Sequence, residues 1–156
     1  MDTYSQFYTE NKDRLYAYLL RFTGEAQLAV DLVQESFVRY LGRYGSRDGN
    51  RSLLYTIARN AALDAIRRRK ADGRQVDDYE APGRNPEEQA IQRQAVDNLL
   101  AALEKLSVSD RELILLVALG GLTYREIAEI VKISEANVKV RVHRIRLRLR
   151  SLTKES

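Results

Sequence analysis

The chain has 156 residues, 44% hydrophobic and 31% charged, with a net charge of +4, which suits one ordinary domain or two small ones with much exposed charged surface. It has no cysteine and one histidine, so a disulfide framework, a thiol nucleophile and a Cys/His zinc site are excluded. No stretch nears the ~18 apolar residues of a membrane span, and the N-terminus lacks the basic and apolar regions of a secretion signal, so the expected address is the cytoplasm without membrane insertion.

Taken in chain order, the first block reads as helices. Leu15, Leu19 and Phe22, then Leu28, Leu32, Phe37 and Leu41, recur at helical spacing, with a break at Thr23-Gly24. Residues 44–50 (Tyr-Gly-Ser-Arg-Asp-Gly-Asn) are dense in turn formers and predict a loop. A third helix follows from Ser52 to about Lys70, carrying Leu53, Leu54, Ile57, Ala61 and Ile66. It ends in Arg67-Arg68-Arg69-Lys70. Cations at a helix C-terminus suit the helix dipole, which accounts for one or two of these four charges.

Charge changes sign along the chain. Residues 1–70 carry a net +4, residues 71–98 a net −4 and residues 99–156 a net +4. The segment from Ala71 to Gln89 holds both prolines, two glycines and the acids Asp77, Asp78 and Glu80, with no helical apolar stripe. Such a composition predicts a tether. The expected division is therefore 1–71, a linker over 72–91, and 92–156.

The last block is again helical: Gln92 to about Leu106, then a helix opened by Ser109 or Asp110 and closed by Gly120-Gly121. No β-alternation occurs, so the expected fold is all-α. Thr123-Tyr124-Arg125-Glu126 is a capping box. The short helix it opens ends in a turn at Lys132-Ile133, and Ser134 caps a further helix to about Leu152. A short helix, a tight turn and a second capped helix form a DNA-binding hairpin.

At about 100° per residue, Val138, Val142, Ile145, Leu149 and Leu152 of that last helix share one stripe. Lys139, Arg141, Arg144, Arg146, Arg148 and Arg150 occupy the remainder, with no acid between Ala136 and Leu152. So many uncompensated cations repel one another in water, and a phosphate backbone relieves that repulsion while releasing counterions. A solvated basic helix is the plainer alternative. Recognition helices read bases with their N-terminal turns, which selects Asn137, Lys139, Arg141, His143 and Arg144. Arg125 and Lys132 are better placed for phosphates.

Residues 122–130 (Leu-Thr-Tyr-Arg-Glu-Ile-Ala-Glu-Ile), Ile133-Ser134 and residues 138–144 (Val-Lys-Val-Arg-Val-His-Arg) resemble region 4 of bacterial sigma factors. Residues 31–39 (Asp-Leu-Val-Gln-Glu-Ser-Phe-Val-Arg) resemble region 2.2. Residues 54–60 (Leu-Tyr-Thr-Ile-Ala-Arg-Asn), with Asp64 and Arg67-Arg68-Arg69, resemble regions 2.3 and 2.4. Their order and the short chain resemble the extracytoplasmic-function sigma factors, sigma-70 family group 4, which hold only domains 2 and 4 across a linker.

The resemblance implies that the first domain binds core RNA polymerase through Asp31, Gln34 and Glu35. It implies capture of the unwound −10 element by Arg39, Tyr44, Tyr55, Asn60, Arg67 and Arg68, along with the loop from Tyr44 to Arg51. The helix-turn-helix would read the −35 element as duplex through Arg125, Asn137, Lys139, Arg141, His143 and Arg144. The acidic linker would pass near the polymerase active-site and RNA-exit channels. The partners implied are core RNA polymerase, promoter DNA and an anti-sigma factor, in a bacterial cytoplasm. No cofactor or metal is implied.

Unwound bases are held by flipping or by stacking on aromatic rings, and seven of nine tyrosines lie before residue 56. For Tyr4, Tyr8, Tyr16 and Tyr18, packing between helices is the preferred reading; for Tyr44 and Tyr55 both readings stand. Three positions depart from the family pattern. Leu53 replaces a tryptophan, Lys132 replaces a glycine in the hairpin turn, and Ser107 replaces a proline. A stand-alone helix-turn-helix regulator is the alternative, and it leaves the N-terminal matches unexplained. An enzyme acting on nucleic acid needs a metal cluster or an acid/base pair, and the scattered carboxylates supply neither.

Overall fold

The apolar spacing of the first block produces three helices: α1 (Thr3–Thr23), α2 (Ala26–Tyr44) and α3 (Arg51–Asp72). In the computed structural model the described residues are 3–45, 49–73 and 86–154. The second block contributes α4 (Pro86–Glu104), α5 (Val108–Leu119), α6 (Tyr124–Val131) and α7 (Glu135–Lys154). Among the described residues all regular structure is helical.

Local chemistry sets most helix ends. α1 stops where Thr23 turns its hydroxyl back to the Leu19 carbonyl at 2.8 Å and Gly24 follows at positive φ. α3 opens on Asn50, whose side chain accepts from the Leu53 amide at 3.2 Å. The Asn50 amide in turn donates to the Tyr40 hydroxyl at 2.9 Å, which fastens the entry to α3 onto α2. α4 begins inside the segment expected to be a tether, at Pro86 rather than Gln92. Proline is favoured at a first helical position because its missing N–H has no partner there anyway. Residues 74–85 of the acidic segment lie outside the described residues. α5 is capped by Ser107, two residues earlier than the expected start, through a bond from the Asp110 amide to the Ser107 hydroxyl at 3.1 Å. Ser107, where the family pattern has proline, therefore supplies a side-chain cap of its own.

The core of the first half is aromatic. Phe37 receives the rings of Tyr4, Phe7 and Tyr8, and Tyr18 stacks on Phe22 at 5.6 Å. Tyr18 is wholly buried and Tyr4, Tyr8 and Tyr16 are partly so, so these four tyrosines pack between helices as preferred above. In the second half Ile127, Ile130, Val138, Val142 and Ile145 are buried together with Leu113 and Leu116.

The two halves are not separate bodies on a string. α5 packs on α1 and α6 packs on α3, so the buried residues of both halves form one continuous cluster. Polar groups cross this seam as well. Arg59 of α3 meets Glu112 of α5 at 2.6 Å, Arg51 meets Glu126 of α6 at 2.6 Å, and Arg111 of α5 lies over the Phe22 ring at 5.6 Å.

Candidate nucleic-acid interface

The helix-turn-helix is built from its caps. The Thr123 hydroxyl accepts from the Glu126 amide at 3.1 Å, and the Glu126 carboxylate accepts from the Thr123 amide at 2.9 Å, which completes the capping box. Its turn is closed by the Ile133 amide reaching back to the Ala128 carbonyl at 3.2 Å, a Schellman-type closure. That geometry places Lys132 in the left-handed region, φ 60° and ψ 46°, the one described non-glycine residue with positive φ. Lys132, which stands in place of the family's glycine, therefore carries a side chain in a backbone region that costs an L-residue about 1 kcal/mol. Ser134 then caps α7 by accepting from the Asn137 amide at 3.1 Å.

The angular division of α7 holds. Val138, Val142 and Ile145 are buried, and Leu149 and Leu152 pack against the core. Asn137, Lys139, His143 and Arg144 are exposed near its N-terminal end, with Arg146, Arg148 and Arg150 exposed further along. Among the described residues none of these cations forms an ion pair. Arg125 and Lys132 are exposed on the preceding helix and turn. Arg141 differs from its neighbours. Its guanidinium bonds Ser109 Oγ at 2.8 Å and Asp110 Oδ1 at 3.1 Å, which ties α7 to the start of α5. Sequence reasoning passed over Val140, which is 47% exposed on the cationic side. An apolar group there suits a thymine methyl.

On the first half, the positions singled out spread along α2 and α3. Arg39 is exposed and paired with Glu35 one turn earlier. Tyr44 is half-buried with its ring 5.3 Å from that of Tyr40. Tyr55 is fully buried, its hydroxyl donating to the Gly120 carbonyl at 3.4 Å, so in this arrangement its ring offers no face to a base. Asn60, Asp64, Arg67 and Arg68 are exposed along one stripe of α3, with Arg67 3.6 Å from Asp64. Arg69 belongs to the scaffold. It donates to the Thr23 carbonyl and pairs with Glu25 at 3.3 Å, pinning the end of α3 to the α1–α2 break. Leu53, standing where tryptophan was expected, is half-buried against the core.

Asp31, Gln34 and Glu35 are all exposed on one face of α2. Beside them lie Val38, 70% exposed, and Leu41. Sequence reasoning named only the polar members of this face. The available signal was a valine set among polar residues one turn after Gln34.

The electrostatics concentrate at the seam. Glu112 is 3% exposed. Burial pushes its carboxyl above the usual range, against the opposing pull of Arg59 beside it and of Arg141 further off. The buried Tyr18 hydroxyl faces the same carboxylate without reaching hydrogen-bond geometry, and burial raises it well above the ordinary tyrosine value. Among the described residues no group of His, Asp and Glu could hold a metal ion. No helix there is long and apolar enough to cross a membrane.

Comparison with known proteins matches both halves. The Sigma-70 region 2 model fits residues 7–71, and the Sigma-70 region 4 model fits residues 97–149. The chain is 32% identical to the ECF RNA polymerase sigma factor SigM of Bacillus subtilis, over 96% of this chain and 94% of that protein. It is 31% identical to the ECF sigma factor SigW of the same organism, over 96% and 88%. Among solved structures it is similar to the sigma factor RpoE of Bartonella quintana, co-crystallised with the anti-sigma factor NepR. The TM-score is 0.74 at 25% identity, over 96% of each chain. CnrH, in complex with the cytosolic domain of CnrY, shares the fold at a TM-score of 0.72 and 23% identity, over 98% of this chain and 88% of that one.

Proposed function

The chain belongs to the extracytoplasmic-function RNA polymerase sigma factors of the sigma-70 family, and from that membership we propose how its surfaces divide the work of starting transcription. As a sigma factor it directs RNA polymerase to promoters and is a transcription initiation factor. A stand-alone regulator would need no first half of this kind, and the region 2 match covers that half almost entirely.

In this division the exposed face of α2 meets core RNA polymerase. Asp31, Gln34 and Glu35 supply polar contacts, and Val38 and Leu41 supply apolar area beside them, further along the helix. Apolar area bordered by polar groups is the usual make-up of a contact patch. α7 enters the major groove of the −35 element. Asn137, Lys139, His143 and Arg144 face base edges from its first turns, while Arg125 and Lys132 take phosphates. Arg141, tied to α5, supports the helix in this reading and reaches DNA only if that tie breaks. Asn60, Arg67 and Arg68 of α3, with Arg39 and Tyr44, handle the opened −10 strand. Tyr55 joins them only once the seam over it separates. The protein brings no catalytic chemistry of its own, acts in the cytoplasm, and has an anti-sigma factor as a further partner. Support for that partner comes from the likeness to RpoE in its complex with NepR.

The observation that carries this reading is the pairing of a cationic recognition helix with a second, separately matched half. The test is promoter-dependent transcription. Purified core RNA polymerase is mixed with the chain on linear templates from its own genome, with and without Val38→Asp. Discrete transcripts that need the chain, and that fall at least about tenfold with the substitution, are expected from a buried unpaired charge in the patch. Transcripts unaffected by Val38→Asp contradict the assignment of the α2 face.

A further inference from the structure

Among the described residues, Arg141 is the only cation of α7 held in an ion pair, and its partners lie outside the helix-turn-helix. Its Nη2 donates to Ser109 Oγ at 2.8 Å and to Asp110 Oδ1 at 3.1 Å, both in the first turn of α5. The buried Glu112, two residues further along α5, feels the same positive charge. The Arg141 and Asp110 side chains are 33% and 34% exposed, so water screens the pair in part and leaves it breakable.

The place of Arg141 on α7 gives this tie its meaning. At about 100° per residue, Arg141 sits roughly 60° round the helix from the buried Val138, nearer the core than the other arginines of α7. It shares a flank with Asn137, one turn before it, and Arg144, three residues after it. A long side chain on that flank has two directions open to it. It can turn inward to α5, as it does, or outward past Asn137 and Arg144 to the groove wall, where the phosphates run. Turned inward it also spares Arg144 a like charge at a spacing where two cations repel.

We propose that Ser109 and Asp110 are positioning residues that withhold Arg141 from the DNA backbone, so that α7 meets the −35 duplex with one phosphate contact fewer than its charge allows. This holds on the reading of α7 as the −35 helix; the tie itself stands on the contacts alone. The consequence is selectivity. Phosphate contacts bind any sequence, and a genome offers non-specific sites in great excess over promoters. An arginine neutralised by its own chain adds nothing to that competition, while Asn137 and Arg144 keep their access to bases.

The test is a mutant cycle on the full chain, assembled with saturating core RNA polymerase. Ser109→Ala/Asp110→Asn removes the hydroxyl and the counter-charge together. The Ser107 cap survives, because it takes the backbone amide of Asp110 and not its side chain. The same pair of substitutions is made in an Arg141→Gln background. The probes are a promoter fragment from which the chain starts transcription and the same fragment with its upstream element scrambled. Affinity for each is titrated between about 50 and 200 mM salt, the range over which phosphate contacts lose most of their worth.

The released variant is expected to bind both fragments more tightly than the parent. The gain should be about threefold larger at the low-salt end than at the high-salt end, and the log–log salt slope should steepen by about 0.9, the signature of one added phosphate contact. In the Arg141→Gln background the same substitutions are expected to produce neither change. An equal gain in that background reports only a lost carboxylate and overturns the withholding. A loss of affinity in the released variant overturns it too, since the tie would then aim Arg141 at DNA. So does a gain confined to the unscrambled fragment, which would make Arg141 a base reader. Failure of the underlying reading looks different. If Arg144→Ala and the released variant both bind like the parent, α7 is off the DNA and the −35 assignment falls with the proposal. A loss in Arg144→Ala beside an unchanged released variant overturns the withholding alone.

Discussion

Glu112 shows how a single residue couples the two halves. The groups facing it are Arg59 from α3, Tyr18 from α1 and, at longer range, Arg141 from α7. Its carboxyl is raised, so the folded chain holds that proton more readily than the unfolded chain does. Ionisation therefore works against folding, and the stability Glu112 contributes is largest at low pH and falls as pH climbs through and just above the carboxylate range. Glu112→Gln has no such slope. In urea melts at a series of pH values, the stability of Glu112→Gln relative to the parent should rise with pH across that window; a difference that stays flat contradicts the assignment. On α7 the distinction is between reading and holding. Replacing Asn137 or Arg144 by alanine should cost about 1–3 kcal/mol on one −35 sequence and relax the preference at one base, whereas Arg148→Ala should weaken all sequences alike and lower the salt slope by about one. Equal losses on matched and mismatched duplexes for Asn137→Ala would remove it from the base contacts. Residue roles of this kind were unevenly legible. The exposure of Asn137 and Arg144 follows from the apolar stripe opposite them. Glu112 left no trace, because it sits beside Leu113, Ile114, Leu115 and Leu116 in a helix buried on most sides, and its partner is 53 positions away.

At the scale of elements, the ends were read more reliably where a side chain makes the cap. The capping box at Thr123, the cap at Ser134 and the break at Gly24 all stand where short-range chemistry puts them. α4 was misjudged because the acidic segment and the first turn of a helix share a composition: Pro86, Glu87 and Glu88 suit either. α5 was misjudged because three hydroxyl or carboxylate residues, Ser107, Ser109 and Asp110, can each cap, and only the fold selects Ser107. The turn of the helix-turn-helix gives a direct test of the local account. Thr123→Ala should destabilise the second half by about 1 kcal/mol through the lost cap. Lys132→Gly should stabilise it by a similar amount, about 1 kcal/mol, by relieving the left-handed lysine. Thermal melts of the two variants should move in opposite directions. A loss of stability in Lys132→Gly would mean that the lysine side chain, not the backbone, governs the turn.

For the whole molecule, each half is readable alone but their arrangement is not. Periodicity finds faces, and it left open that the apolar faces of two small domains pack on each other. It cannot say which arginine meets which carboxylate, and the pairs that cross the seam join positions 53 and 75 residues apart. The arrangement carries the functional meaning. It sets the helix-turn-helix edge against the start of α3 and buries Tyr55, while leaving the α2 face and the cationic side of α7 open. On the proposed division of work the two halves take two promoter elements, with the seam parted and the polymerase holding them at one separation. The most direct measurement is to transcribe fragmented genomic DNA with core RNA polymerase and this chain, and to map every start site that depends on it. The account predicts start sites preceded by two short motifs at a constant separation, with Asn137→Ala relaxing only the upstream one and Asn60→Ala affecting only the downstream one. Start sites that share a single motif, or two motifs at unrelated spacings, would contradict it.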